Sequence, residues 1–128
     1  MSIPILCLIF SALLILITRI PVAMAMREEG GYDNRHPRDQ QSRLTGFGAR
    51  ALAAHKNMIE AFPLFAAGLL IALWSGADGP WTSLLAVVFV LARVVYTILY
   101  LADFPTLRSM VWTAGYAASV GLMVLALF

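Results

Sequence analysis

Residues 80–102, PWTSLLAVVFVLARVVYTILYLA, hold a single charge, Arg93, in a stretch otherwise built from apolar and hydroxyl side chains. Its length is that of a helix crossing a bilayer, for which ~20 residues are needed, and Pro80 suits a first-turn position. An ionised side chain in hydrocarbon costs at least ~2.5–3.5 kcal/mol even on lenient insertion scales. Arg93 must therefore face the inside of a bundle. Tyr96 and Tyr100 follow it at +3 and +4 and fall on the same helical stripe.

Outward from this segment the chain repeats the pattern. Residues 3–18, IPILCLIFSALLILIT, carry no charge, and the run resumes past Arg19 as IPVAMAM. Residues 61–77 are uncharged, with a polar helical lead-in from about Leu44, and Ser109 to Phe128 is a further run free of charge. These runs predict an all-α, integral membrane four-helix bundle in one domain, with helices at about 3–26, 45–74, 80–103 and 106–127. A hydrophilic connection at about 27–45 and short links at 75–79 and 103–107 join them. Composition agrees: 128 residues, 61% hydrophobic, 12% charged, mean hydropathy +0.83. A soluble domain this small has too much surface for its volume to hide so many apolar side chains.

The start of the chain lacks the basic residues and cleavage site of a secretory signal, so the first span is expected to stay. All nine basic residues lie in or beside the first connection (Arg19, Arg27, Arg35, Arg38, Arg43, Arg50, Lys56), in the third span (Arg93) or in the third link (Arg108). The excess of positive charge on cytoplasmic loops then predicts both termini outside the cytoplasm. In that orientation Arg19, Asn57, Glu60, Arg93, Tyr100 and Arg108 share the cytoplasmic half.

Arg50, Asn57 and Glu60 are spaced +7 and +3, one stripe of the second span. Two polar stripes in one bundle must face inward or each other, and Glu60 with Arg93 is the natural charge pair, since an unpaired charge there is far more costly. His55 and Lys56 lie off that stripe and are placed nearer the interface. Interhelical hydrogen bonding alone, worth ~0.6 kcal/mol per bond in membrane proteins, accounts for Asn57 taken singly. The cluster as a whole points to a ligand site, because intramembrane ionisable groups are functional by default.

Other chemistries find little support. A net charge of +2 without a basic tract interleaved with aromatics argues against nucleic acid. His36 and His55 have no partner at metal-ligand spacing, so no metal is expected. Cys7 lies alone in an apolar span with no cation to make a thiolate. Trp74, Trp81 and Trp112 fit interfacial or packing roles. No phosphate-cradling glycine loop and no Ser/His/Asp or Cys/His arrangement is present.

Two blocks in order carry a resemblance. RALAAHKNMIEAFPLFAAGLLIA (Arg50 to Ala72) resembles the second-helix signature of the membrane-associated proteins in eicosanoid and glutathione metabolism, the MAPEG superfamily. ARVVYTILYLADFPTLRS (Ala92 to Ser109) resembles that family's junction of third and fourth helices, and GYDNRHPRDQQSRLTGFGARA (residues 31–51) is similar to its bacterial branch.

The resemblance implies a homotrimer in the bacterial inner membrane, with glutathione as co-substrate bound between subunits near the cytoplasmic face. Carried over by position, Arg50, Asn57, Glu60, Arg93, Tyr96 and Tyr100 line the glutathione pocket. Arg108 is the arginine that stabilises the thiolate, with Ser109 beside it, and Arg19 is a further cation. The implied activity is a glutathione transferase or peroxidase acting on lipophilic electrophiles or lipid hydroperoxides. Several arginines, one Glu and one Asn complement the two carboxylates and the ammonium of glutathione. The spacing around Asp103–Phe104–Pro105 departs from the eukaryotic synthases. Two alternatives stand beside this reading: a small proton-coupled multidrug transporter using Glu60, and a catalytically weak membrane scaffold.

Overall fold

The computed structural model describes residues 2–128. It is all-helical, with α1 (Ile3–Glu28), α2 (Pro37–Ser42), α3 (Gly46–Trp74), α4 (Pro80–Leu101) and α5 (Pro105–Leu125). Prolines open α1, α2, α4 and α5, where the missing N–H is one the helix could not have used. Pro21 and Pro63 sit inside α1 and α3 and leave carbonyls one turn earlier unbonded, a defect that helices in membrane bundles tolerate.

Three long helices end by one device. Gly31 N–H reaches Met26 O, Ala77 N–H reaches Ala72 O, and Phe104 N–H reaches Leu99 O, each accompanied by the shorter bond of a Schellman turn. The left-handed residue is Gly30, Gly76 and Asp103 in turn, the last with φ 63°. Aspartate tolerates that region better than most side chains. These turns reverse the chain tightly, so α4 and α5 pack as neighbours.

The hydrophilic connection expected at about 27–45 contains an extra element, α2. Six residues are too few to show periodicity, and α2 is ordered instead by Gln40. Its buried amide accepts from the Asp33 N–H (2.8 Å) and donates to the Gly31 carbonyl (2.6 Å).

α3 and α4 each touch both α1 and α5, whereas α1 and α5 do not meet, so α3 and α4 form the short diagonal of the bundle. Two apolar clusters fill it. Cys7, Phe65, Leu69, Phe89 and Leu122 belong to the one nearer the α3–α4 link. Val22, Met26, Leu44 and Ala51 belong to the one at the opposite end. Polar side chains occupy the level between them, which is where the site lies.

α1, α3 and α4 are long and apolar enough to cross a membrane. α5 has 21 residues, but its first half mixes Arg108, Ser109, Thr113 and Tyr116 with apolar side chains. That half faces the candidate site.

α5 packs close against α3 at Gly68, where an added Cβ would lie 2.6 Å from the Ser119 carbonyl oxygen. Backbone cannot yield there. Gly68→Ala is expected to destabilise by ~1–3 kcal/mol, as overpacking does, and thermal unfolding in mild detergent should show a lowered midpoint.

Candidate functional site

Arg93 is the largest fully buried side chain, 2% exposed. Its Nη2 donates to Asn57 Oδ1 at 2.8 Å, and its guanidinium carbon lies 4.2 Å from the centre of the Tyr96 ring. Its buried Nε–H has no hydrogen-bond partner. A buried cation normally faces a carboxylate, and leaving it unpaired costs several kcal/mol. Arg93 instead has one amide and one aromatic face. Such an arrangement has a donor left over that can bond an anionic or acceptor group from outside the chain.

The expected pairing of Glu60 with Arg93 is not formed. Among the described residues the one ion pair is the exposed Arg43–Asp39 contact within the α2 region. Asn57 stands at the level of Arg93, whereas Glu60 lies about one turn further along α3 and is exposed. Asn57 Nδ2 donates weakly to Glu60 Oε2 at 3.5 Å, so the amide bridges cation and carboxylate. With its oxygen fixed by Arg93, the Asn57 amide turns its N–H groups toward Glu60.

A second chain of contacts runs from Arg93 toward the start of α5. Tyr96 is buried and meets Tyr100 edge to face, with ring centres 5.6 Å apart. The Arg108 guanidinium lies over the Tyr100 ring at 4.2 Å. Arg93, Tyr96, Tyr100 and Arg108 therefore form a continuous ladder of cation–π and aromatic contacts. Each cation–π contact contributes ~0.5–2 kcal/mol depending on desolvation, and the ladder holds Arg108 half-buried at the end of the bundle.

Other expected site residues lie apart from this core. Arg50 donates from Nε to the Leu101 carbonyl at 3.4 Å, tying the start of α3 to the end of α4 where a cation complements the helix dipole. It shares the Asn57–Glu60 stripe but sits two turns nearer the end. Ser109 is exposed and donates to the Pro105 carbonyl of its own helix at 3.1 Å. It lines a shallow groove with Thr106, Met110 and Thr113. Arg19 is exposed on α1, which has no contact with α5.

His55 differs from its expected place near the interface. It is 8% exposed and hydrogen-bonded to Thr18 Oγ1 at 3.0 Å, because α1 presents a hydroxyl at its level. Lys56 is exposed.

A cavity of about 160 Å³ opens between α3, α4 and α5. Asn57, Glu60 and Arg93 form its polar side, and Ala61, Leu64 and Phe89 form its apolar floor. Phe89 is backed by Phe65, the rings parallel within 3° at 4.0 Å. The remaining wall is Trp112, Gly115, Tyr116 and Ser119 of α5. Sequence reading gave Trp112 only interfacial or packing roles and passed over the other three. Their spacing of +3, +1 and +3 is one stripe of α5, the signal that marks this wall.

A model of the MAPEG family matches residues 3–128 of the chain. No curated protein and no solved structure matches it.

Proposed function

The chain belongs to the MAPEG family, a membrane protein with a glutathione-related function, and from that premise we propose that it is a glutathione-dependent transferase or peroxidase. Its substrates in this reading are lipophilic electrophiles or lipid hydroperoxides. Arg93 carries the reading: a fully buried guanidinium with a free N–H, oriented by Asn57 and facing a cavity whose one carboxylate, Glu60, forms no ion pair with it. Glutathione supplies carboxylates for such cations and an ammonium for Glu60.

Arg50, Asn57, Glu60, Arg93, Tyr96 and Tyr100 hold the peptide in this proposal, and Arg108 with Ser109 stands at the sulfur. A free thiol of pKa ~8.5 is mostly protonated at neutral pH, and an adjacent guanidinium favours the thiolate. The protein then needs no nucleophile of its own: it binds, orients and stabilises charge. Calorimetric titration of detergent-purified protein with glutathione tests this. Saturable binding that is weakened in Glu60→Gln supports it, and absence of binding overturns it.

The cavity volume is about half the lower end of small-molecule pockets, ~300 Å³. A tripeptide must extend beyond it, over the exposed edge that carries Glu60. We propose that a neighbouring copy covers that edge and that the assembly is a homotrimer. Native mass spectrometry in mild detergent should give three subunits. A stable monomer that still binds glutathione would contradict the shared site.

One observation favours a second reading, a proton-coupled transporter: Glu60 has no ion-pair partner among the described residues. Efflux from vesicles that requires a proton gradient and is lost in Glu60→Gln would establish it.

A further inference from the structure

Arg108 stands where a cation gains least from its own helix. It is the fourth residue of α5, in the first turn, where the helix dipole is positive. No carboxylate compensates: Arg43–Asp39 is the one ion pair among the described residues, so Asp103 in the preceding turn is not paired with Arg108. The contact that orients the guanidinium is the Tyr100 ring, 4.2 Å away. An arginine left in water spreads over many rotamers, and a ring beneath its planar face removes most of them. Tyr100 is itself well held. It lies in the last turn of α4, its carbonyl accepts from the Asp103 N–H at 3.2 Å, and the next carbonyl, that of Leu101, accepts from Arg50 Nε. Its ring meets Tyr96 edge to face, 74° between the planes, and Tyr96 is buried against Arg93. Backbone and neighbours both fix the ring under Arg108.

We propose that Tyr100 is a positioning residue for the sulfur chemistry: the face of its ring, rather than its hydroxyl, holds the Arg108 guanidinium in one orientation and so sets how strongly a bound thiol is ionised. The inference rests on the reading of Arg108 as the partner of the thiolate, and deepens it by naming what fixes that cation. Tyr96 acts one step further back, as the support of the Tyr100 edge. Preorganisation is why the ring matters. A donor already aimed at the place where charge appears needs no rearrangement, whereas a mobile guanidinium must first be ordered. Stacking uses only the face of the guanidinium and leaves its edge N–H groups free. Those edge donors are the ones a sulfur anion meets.

Glutathione titrations of the detergent-purified protein, followed in the thiolate band across pH and in parallel by calorimetry, test this. Tyr100→Leu removes the ring from a half-buried position and keeps an apolar side chain there; Tyr100→Met does the same should the leucine variant fail to insert. The pH midpoint of the thiolate band should rise by about one unit, roughly a tenfold loss of thiolate at neutral pH. Turnover (kcat) with a chlorodinitrobenzene should fall by a similar factor, and the Kd of glutathione should move by a smaller one. Tyr100→Phe keeps the face and loses the hydroxyl, so it should lie far closer to the wild type than Tyr100→Leu in all three readouts, with Tyr96→Leu between them. A merely structural role for the ring would lower the unfolding midpoint and leave the thiolate midpoint in place, which overturns the inference. Tyr100→Phe matching Tyr100→Leu would overturn it too, by giving the effect to the hydroxyl. A wild-type protein that shows no thiolate band at all would sink the reading of Arg108 and this inference with it, an outcome visible before any variant is made.

Discussion

Arg108→Ala is expected to lower turnover with a chlorodinitrobenzene by roughly a hundredfold or more, the usual effect of removing one preorganised charge-stabilising donor. Glutathione affinity should change little. In the proposed role the guanidinium acts mainly on the ionised sulfur, so its loss should fall on kcat and kcat/KM rather than on ground-state binding. Geometry supports a fixed role: Arg108 is held over the Tyr100 ring at 4.2 Å rather than free in solvent. The plain alternative is a topological anchor on the cytoplasmic side. Arg108→Lys separates the two, since it keeps the charge but not the planar donor fork. Full activity in both variants, with correct insertion, would reduce Arg108 to an anchor.

Arg93→Leu should weaken glutathione binding by about 2 kcal/mol or more, roughly thirtyfold in Kd, as loss of one partner in a buried charged contact does. Two effects combine in it. The cavity loses its cation, and Asn57 loses the hydrogen bond that fixes its amide. Glu60→Gln should weaken binding less than Arg93→Leu but more than Lys56→Ala, whose side chain is exposed and off the cavity. His55→Ala is expected to cost stability through its lost bond to Thr18, with affinity unchanged. Calorimetry in which all four variants match the wild type would remove the site from α3 and α4.

Much of this arrangement is legible in the chain. Uncharged runs between charged or Gly/Pro-marked segments locate the long helices, because hydrocarbon admits little else. The convergence of Asn57 and Arg93 follows from two polar stripes in a bundle with few places to hide them. Depth along the axis is less legible than face. Arg50 shares a stripe with Asn57 yet reaches only Leu101, and Glu60 misses Arg93 by a turn. The break before α5 is legible at 103–107, but its left-handed residue is not, because aspartate rather than glycine occupies it at Asp103. The α5 wall was missed for another reason. Trp112 and Tyr116 have the composition of interfacial belt residues, and only packing against α3 and α4 reveals that they border a cavity.

The central claim is that the protein holds glutathione as a thiolate. Adding glutathione to detergent-purified protein at neutral pH and recording the difference spectrum in the thiolate band tests it directly. A positive band that saturates with glutathione, and is lost in Arg108→Ala while calorimetric binding persists, is the expected result. Glutathione binding with no thiolate band in the wild-type protein would contradict the account.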